Sequence, residues 1–210
     1  MEQYLPKYTE FETKYRLKTD LSMQFKMLMM SSIDILGTFE FKYVEGPDVY
    51  YTKIDDIDSF ARYRKAINEK KAWLTMKSKR TNTNNINRKE VNWRADGNEP
   101  DAIRAGMELL GYEYNFTIYK MCHIYEFDKY TIVMYAVIGE DNTTSYFLEI
   151  ELDEENIHTL TETEALQTIR DVENVLAPLG VTYRNRLYKS LFEMYRQTKD
   201  ADKLAISTNS

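Results

Sequence analysis

Cysteine is nearly absent. The chain carries one, Cys122, so no internal disulfide forms and no cysteine-built zinc cluster is expected. That usage fits a reducing, cytoplasmic setting. Glycine and proline are sparse, at 7 and 4, and no repeat of solenoid spacing is seen. No apolar run approaches the length of a membrane helix, and Met1 to Lys7 lacks the apolar core of a signal peptide. A soluble chain without a membrane partner is expected. Positive charge is in deficit. The net charge of -6 and pI near 5.2 argue against a broad electrostatic grip on duplex nucleic acid, though not against a local basic pocket.

What is present is tyrosine, 17 of 210 residues, which favours strands and points to a β-rich body. With 43% hydrophobic and 30% charged residues the chain is globular, and its length suits one large domain or two small ones. The stretch Tyr8 to Leu17 alternates strictly. Glu10, Glu12, Lys14 and Arg16 fall on one face of a strand, and Phe11, Tyr15 and Leu17 on the other. Such a strand is ordinarily half-solvated. It gains meaning when other strands repeat the device.

Further along, Asp20 as N-cap and apolar residues from Leu21 to Leu36 predict a helix closed by Gly37, with Met27, Met29 and Met30 as core filler. Gly46-Pro47-Asp48 reads as a turn before a strand from Val49 to Ile54, and Asp55 to Asp58 as a solvated turn. Three cationic strands follow. Phe60 to Ala66 carries Arg62 and Arg64, Trp73 to Lys79 carries Lys77 and Lys79, and Arg88 to Arg94 carries Arg88 and Arg94 with Glu90. Asp101 to Leu110 is helical. Tyr114 to Phe127 is a strand with Lys120 on the side of Phe116 and Ile118, and His123 on the opposite parity unless a bulge intervenes. Thr131 to Ile138 is strongly β-prone, and Tyr146 to Leu152 presents a second Glu-x-Glu pair, Glu149 and Glu151. Thr161-x-x-Glu164 is a capping box opening a helix, a last helix runs from Arg184 to Arg196, and the polar tail from Thr198 is expected to fray.

Like charges side by side repel, so cationic faces on neighbouring strands require an anionic partner. The economical one is a polyphosphate, which engages several lysines and arginines together. Two Glu-x-Glu pairs suit hard divalent cations such as Mg²⁺ or Mn²⁺, which prefer carboxylate oxygens and bridge substrate phosphates. If the sheet closes into a barrel with this face inward, a polar tunnel results, its greasy exterior covered by helices.

In this the chain resembles the CYTH superfamily, the triphosphate tunnel metalloenzymes, from about Tyr8 to Tyr195. The resemblance is carried by Glu10-x-Glu12-x-Lys14, then Arg62-x-Arg64, then Leu74-Thr75-Met76-Lys77 with Lys79. Arg88-x-Glu90, Leu110-Gly111 with Lys120, and Glu149-x-Glu151 complete the ordered set. It implies an α+β fold: an eight-stranded antiparallel barrel with helices outside, as one domain over residues 1–197 and a flexible tail over 198–210. It also implies that Glu10, Glu12, Glu149 and Glu151 hold Mg²⁺ or Mn²⁺, with Glu90 adding to the metal shell or orienting Arg88. Lys14, Arg62, Arg64, Lys77, Lys79, Arg88 and Lys120 would grip phosphate oxygens, and Glu10, Glu12 and Lys14 form the catalytic hallmark. Two positions depart. Tyr135 and Ala136 stand where many members have an Asp, which leaves a second metal without that carboxylate. His123 is nearest to where a second cation follows the one matched by Lys120.

The expected activity is metal-dependent hydrolysis of a triphosphate, inorganic or nucleoside, by a monomer or homodimer. The alternatives are a class IV type adenylyl cyclase making cyclic AMP from ATP, and a phosphate-ligand or nucleotide binder without turnover. Removing Glu10 and Glu12 together is expected to abolish metal-dependent activity and spare the fold.

Overall fold

The computed structural model describes residues 4–69, 71–78, 87–97, 99–153 and 157–196. In chain order its elements are β1 (Thr9–Leu17), α1 (Ser22–Ser31), α2 (Ile33–Leu36), β2 (Glu40–Lys53), β3 (Asp56–Lys65), β4 (Ala72–Lys77) and β5 (Asn87–Arg94). There follow α3 (Pro100–Leu109), β6 (Tyr112–Glu126), β7 (Tyr130–Ile138), β8 (Thr144–Leu152), α4 (Glu162–Leu176) and β9 (Arg186–Leu187). The strands run β5-β4-β3-β2-β6-β7-β8-β1, all pairs antiparallel. Pairing of β1 with β5, Thr9 opposite Lys89, closes them into an eight-stranded barrel. The short β9 docks on the far half of β1. No helix among the described residues is long and apolar enough to cross a membrane.

Closure decides which face is inside. On β1 the apolar set Phe11, Tyr15 and Leu17 points out, into a core shared with Ile132, Leu148 and Ile150 of neighbouring strands. Phe25 and Met29 of α1 and Ala165, Ile169, Val172 and Leu176 of α4 cover it. Each fully buried side chain of this size contributes roughly 1.5–3 kcal/mol, so the helices fix the register that sends the charges inward. On the other flank Met107 of α3 covers Tyr51, Ala61 and Tyr63.

Five expectations change. The turn expected over Asp55 to Asp58 closes at Ile54 and Asp55, and Asp56 to Asp58 already belong to β3. The helix expected from Asp20 to Leu36 is two, α1 and α2, broken at Ser32, and Asp20 Oδ1 accepts from the Ser22 N–H at 2.8 Å. Of the three methionines only Met29 is buried; Met27 and Met30 face solvent. Gly46-Pro47-Asp48 is no turn, because β2 runs through it for 14 residues. Gly46 serves a close approach instead: a Cβ there would lie 2.5 Å from the Lys65 carbonyl oxygen. Pairing to β3 begins only at Asp48, so Pro47 sits where one side of β2 lacks that ladder partner.

The last helix also divides. Arg186 pairs with β1 through β9 and bonds Glu173 of α4 from Nε at 2.7 Å and Nη2 at 2.9 Å, interrupting helical spacing. Helix resumes over 191–196. Ser190 caps it, exchanging bonds with Glu193. This segment stacks Phe192 on Phe60 at 4.5 Å between centroids and packs it with Tyr50 and Phe116, filling one end of the barrel. The capping box Thr161–Glu164 is present as expected. Lys79 and the tail lie outside the described residues.

Candidate functional site: a charged tunnel

The barrel encloses a cavity of about 450 Å³. Six Lys and Arg side chains (Lys14, Arg62, Arg64, Lys77, Arg88, Lys120) and six glutamates (Glu10, Glu12, Glu90, Glu126, Glu149, Glu151) line it. Every expected site residue within the described part is therefore gathered in one place. Strands four positions apart in the order face each other, so β3 with Arg62 and Arg64 lies across the bore from β8 with Glu149 and Glu151.

The charges fall into three groups. At the β4–β5–β1 seam, Glu10 ion-pairs with Lys77, and Arg88 Nε reaches its other oxygen at 2.6 Å. Lys77 also meets Glu90 at 2.5 Å, and Asn92 donates to Glu90 at 3.0 Å. Burial works against the charge on Glu90, but Lys77 and Arg62 hold its carboxyl below the usual range.

Along β1 and β8 carboxylates dominate. Lys14 contacts Glu149 at 2.7 Å and Glu12 at 3.2 Å, and the Tyr135 hydroxyl donates to Glu149 at 2.7 Å. Burial alone would raise Glu12, and Glu10 adds to that, yet Lys14, Lys77 and Arg88 hold it low. Glu151 lies opposite Glu12 in register. Burial pushes its carboxyl well above the usual range, and Glu90, Glu10 and Glu12 push the same way.

On β2, β3 and β6 cations dominate. Arg64 donates to both oxygens of Asp48, from Nε at 2.5 Å and from Nη2 at 2.6 Å, and Arg62 Nη1 stands 4.0 Å away. Asp48 is 0% exposed. Burial opposes its charge, but Arg64 and then Arg62 bring its pKa down to about 2. Sequence reasoning missed Asp48 by placing it in a turn. Extended to residue 48, the strand's own alternation puts Asp48 in line with Tyr50 and Thr52. The Arg62 Nε has no hydrogen-bond partner among the described residues. Lys120 makes no carboxylate contact there either; its ammonium sits over the Tyr135 ring, 3.8 Å from the centroid. Burial and the nearby Arg64 lower its pKa.

His123 points out of the barrel, edge-on to Phe41 and Tyr43, and has no place in the tunnel. Tyr135 does point in, its hydroxyl holding Glu149 and its ring carrying Lys120. Among the described residues no three His, Cys, Asp or Glu side chains are gathered as a metal cluster, because Lys14, Lys77 and Arg88 stand among the carboxylates. The donor set nonetheless fits a hard cation. It is all carboxylate oxygen, and a divalent ion near Glu151 would offset both the burial and the neighbouring carboxylates that raise its pKa.

The same fold recurs among solved structures. No protein-family model matches this chain and no curated protein does. Among solved structures it is similar to the PH1819 protein of Pyrococcus horikoshii, with 19% identity and TM-score 0.65 over 90% of this chain and 99% of that one. It is also similar to a Hippeastrum protein described under the adenylyl cyclase name with a dominant triphosphatase activity, at 17% identity and TM-score 0.59 over 90% and 96%. A third is the Schizosaccharomyces pombe RNA triphosphatase, at 12% identity and TM-score 0.50 over 84% and 87%. These likenesses bear out the CYTH resemblance at the level of fold.

Proposed function

We propose that this protein hydrolyses a triphosphate held inside the barrel, with Mg²⁺ or Mn²⁺ as cofactor. The observation that carries the reading is the separation of charge across the bore: Arg62, Arg64 and Lys120 near Asp48 on one side, and Glu12, Glu149 and Glu151 beside Lys14 on β1 and β8 on the other. The activities described for the Hippeastrum and fission yeast proteins support it.

Arg62, Arg64 and Lys120 take phosphate oxygens first, since they have donors to spare. Lys14, Lys77 and Arg88 are shared between phosphate and carboxylates, so an entering triphosphate competes for them and releases Glu10, Glu12 and Glu149. Lys79 remains an expected member of the cationic set. Those three with Glu90 and Glu151 would hold the metal. When bound, the metal neutralises phosphate charge and lowers the pKa of a coordinated water. Water attacks the terminal phosphorus and a β1–β8 carboxylate accepts its proton. The bond to the bridging oxygen breaks, releasing orthophosphate and the diphosphate. Arginine and lysine around the equatorial oxygens stabilise the charge that spreads there.

The test is product analysis. The protein is incubated with inorganic triphosphate and with ATP, each with Mg²⁺ or Mn²⁺. Metal-dependent orthophosphate release is the expected result. Cyclic AMP with pyrophosphate assigns the cyclase reaction instead. Binding of triphosphate without any product overturns both enzymatic readings.

A further inference from the structure

One end of the tunnel carries features that phosphate binding leaves unused. Along β3, β4 and β5 the inward residues form layers by register. Phe60, Lys77 and Glu90 lie nearest the Phe192 plug, then Arg62, Thr75 and Asn92, then Arg64, Trp73 and Arg94. The outermost layer holds a tryptophan. Trp73 lines the cavity and yet is 37% exposed, so it stands at the mouth.

Its ring is fixed. The Arg94 guanidinium lies 4.7 Å from the ring centroid, and Arg94 is itself ion-paired to Asp96, which accepts the Ala72 N–H at 2.6 Å. Strand β7 lies diametrically across from β4 in the barrel order, and there Val133 and Thr131 line the cavity beside Ile124 of β6. The mouth thus offers a rigid indole on one wall and Val133 and Ile124 on the other, in the layer of Arg64 and one layer beyond Arg62. Inorganic triphosphate has no atom that gains from such a slot. A planar aromatic group attached to a triphosphate does, because any nucleobase stacks on an aromatic face.

From this we infer that Trp73 is a specificity-determining residue that stacks the base of a nucleoside triphosphate, making a nucleotide, not inorganic triphosphate, the preferred substrate. The inference rests on the triphosphate reading of the tunnel. The ligand is a free nucleotide, not the 5′ end of an RNA. The mouth carries Glu126, and the chain's net charge of -6 gives a polyanion no broad surface to follow.

The experiment compares kcat/KM for ATP and for inorganic triphosphate in the wild type, Trp73→Ala, Trp73→Phe and Trp93→Ala. Trp93 lies on the outward face of β5, pairs in register with Leu74 and serves as the control for loss of a tryptophan. The wild type is expected to prefer ATP. Trp73→Ala lowers the ATP-to-triphosphate ratio roughly tenfold, Trp73→Phe restores most of it, and Trp93→Ala leaves it unchanged. An equal loss on both substrates, or an unchanged ratio in Trp73→Ala, overturns the inference. If no substrate turns over, the hydrolysis reading fails separately, and melting-temperature shifts with ATP and with inorganic triphosphate take over the test. An extra ATP shift that Trp73→Ala removes sustains the stacking site, and equal shifts for the two ligands refute it. Tighter binding of a 5′-triphosphorylated oligonucleotide than of ATP refutes the free-nucleotide assignment.

Discussion

On the β2–β3–β6 side of the tunnel three cations, Arg62, Arg64 and Lys120, gather round one carboxylate, Asp48. On the β1–β8 side Glu12 and Glu149 hold one cation, Lys14, and a third carboxylate, Glu151, stands opposite Glu12 in register. The two walls are near mirror images in charge. Neither is self-sufficient, because charge taken out of water needs close partners of opposite sign. Each wall lacks what the other holds in excess, yet they stand across a bore and do not touch. A phosphate chain carrying a metal ion presents both signs in the right order, anion towards the arginines and cation towards the glutamates. The middle seam differs from both, since Glu10 and Glu90 balance Lys77 and Arg88.

The largest effect is expected on the cationic wall. Asp48→Ala leaves Arg62, Arg64 and Lys120 without that carboxylate, and breaking a buried pair of this kind costs about 3–5 kcal/mol. Urea denaturation should show the loss, and inorganic triphosphate should restore part of it. A loss under about 1 kcal/mol means that the cations do not depend on Asp48. On the acidic wall the expected effect moves from stability to activity. Glu12→Gln leaves Lys14 its Glu149 partner, so the fold holds while metal-dependent turnover falls roughly a hundredfold. Glu10 behaves otherwise. Because it neutralises both Lys77 and Arg88, Glu10→Gln is expected to lower stability as well. By the same contacts the double removal of Glu10 and Glu12, expected from the sequence alone to spare the fold, is now expected to cost stability as well as activity.

How much of this was legible depends on the wall. The acidic wall lies on β1 and β8, whose strict alternation places Glu10, Glu12, Lys14, Glu149 and Glu151 with no ambiguity of face. The cationic wall was half legible. Arg62 and Arg64 alternate with Ala61 and Tyr63 and were found. Their anchor was lost because Gly46-Pro47-Asp48 has turn composition, while its real constraints are non-local: a close approach to Lys65 and the point where β3 pairing begins. The plug escaped for a similar reason. Arg184 to Arg196 has helical spacing, and only the Arg186–Glu173 pair and the pairing to β1 reveal the break. Closure of β5 onto β1 carries no local signature and came from family resemblance alone.

Acid should separate the walls. The Asp48 pKa falls from an ordinary 3.8 to about 2 on folding, so its stabilisation is present above the ordinary value. It is lost as pH falls from about 4 through 2, an expected contribution of about 2 kcal/mol. Asp48→Asn should flatten the stability profile over that window. An unchanged profile separates Asp48 from the acid response of the cationic wall.

The smallest effect has the opposite sign. Glu151 faces Glu12 across the β1–β8 pair, a like-charge pairing that destabilises a sheet by up to about 1 kcal/mol. Its carboxyl is raised on folding, first by burial and then by Glu90, Glu10 and Glu12. The stability linked to its protonated form is therefore complete below the ordinary value of 4.5 and is lost as pH rises through the folded value. In chelator-treated protein Glu151→Gln should raise the melting temperature slightly at neutral pH and remove that slope. With Mn²⁺ added the order should reverse, because the wild type gains a ligand-bound state that the variant forms poorly. A variant less stable without metal, or equally stabilised by Mn²⁺, means that Glu151 is already satisfied within the protein and that the acidic wall has no surplus to offer a cation.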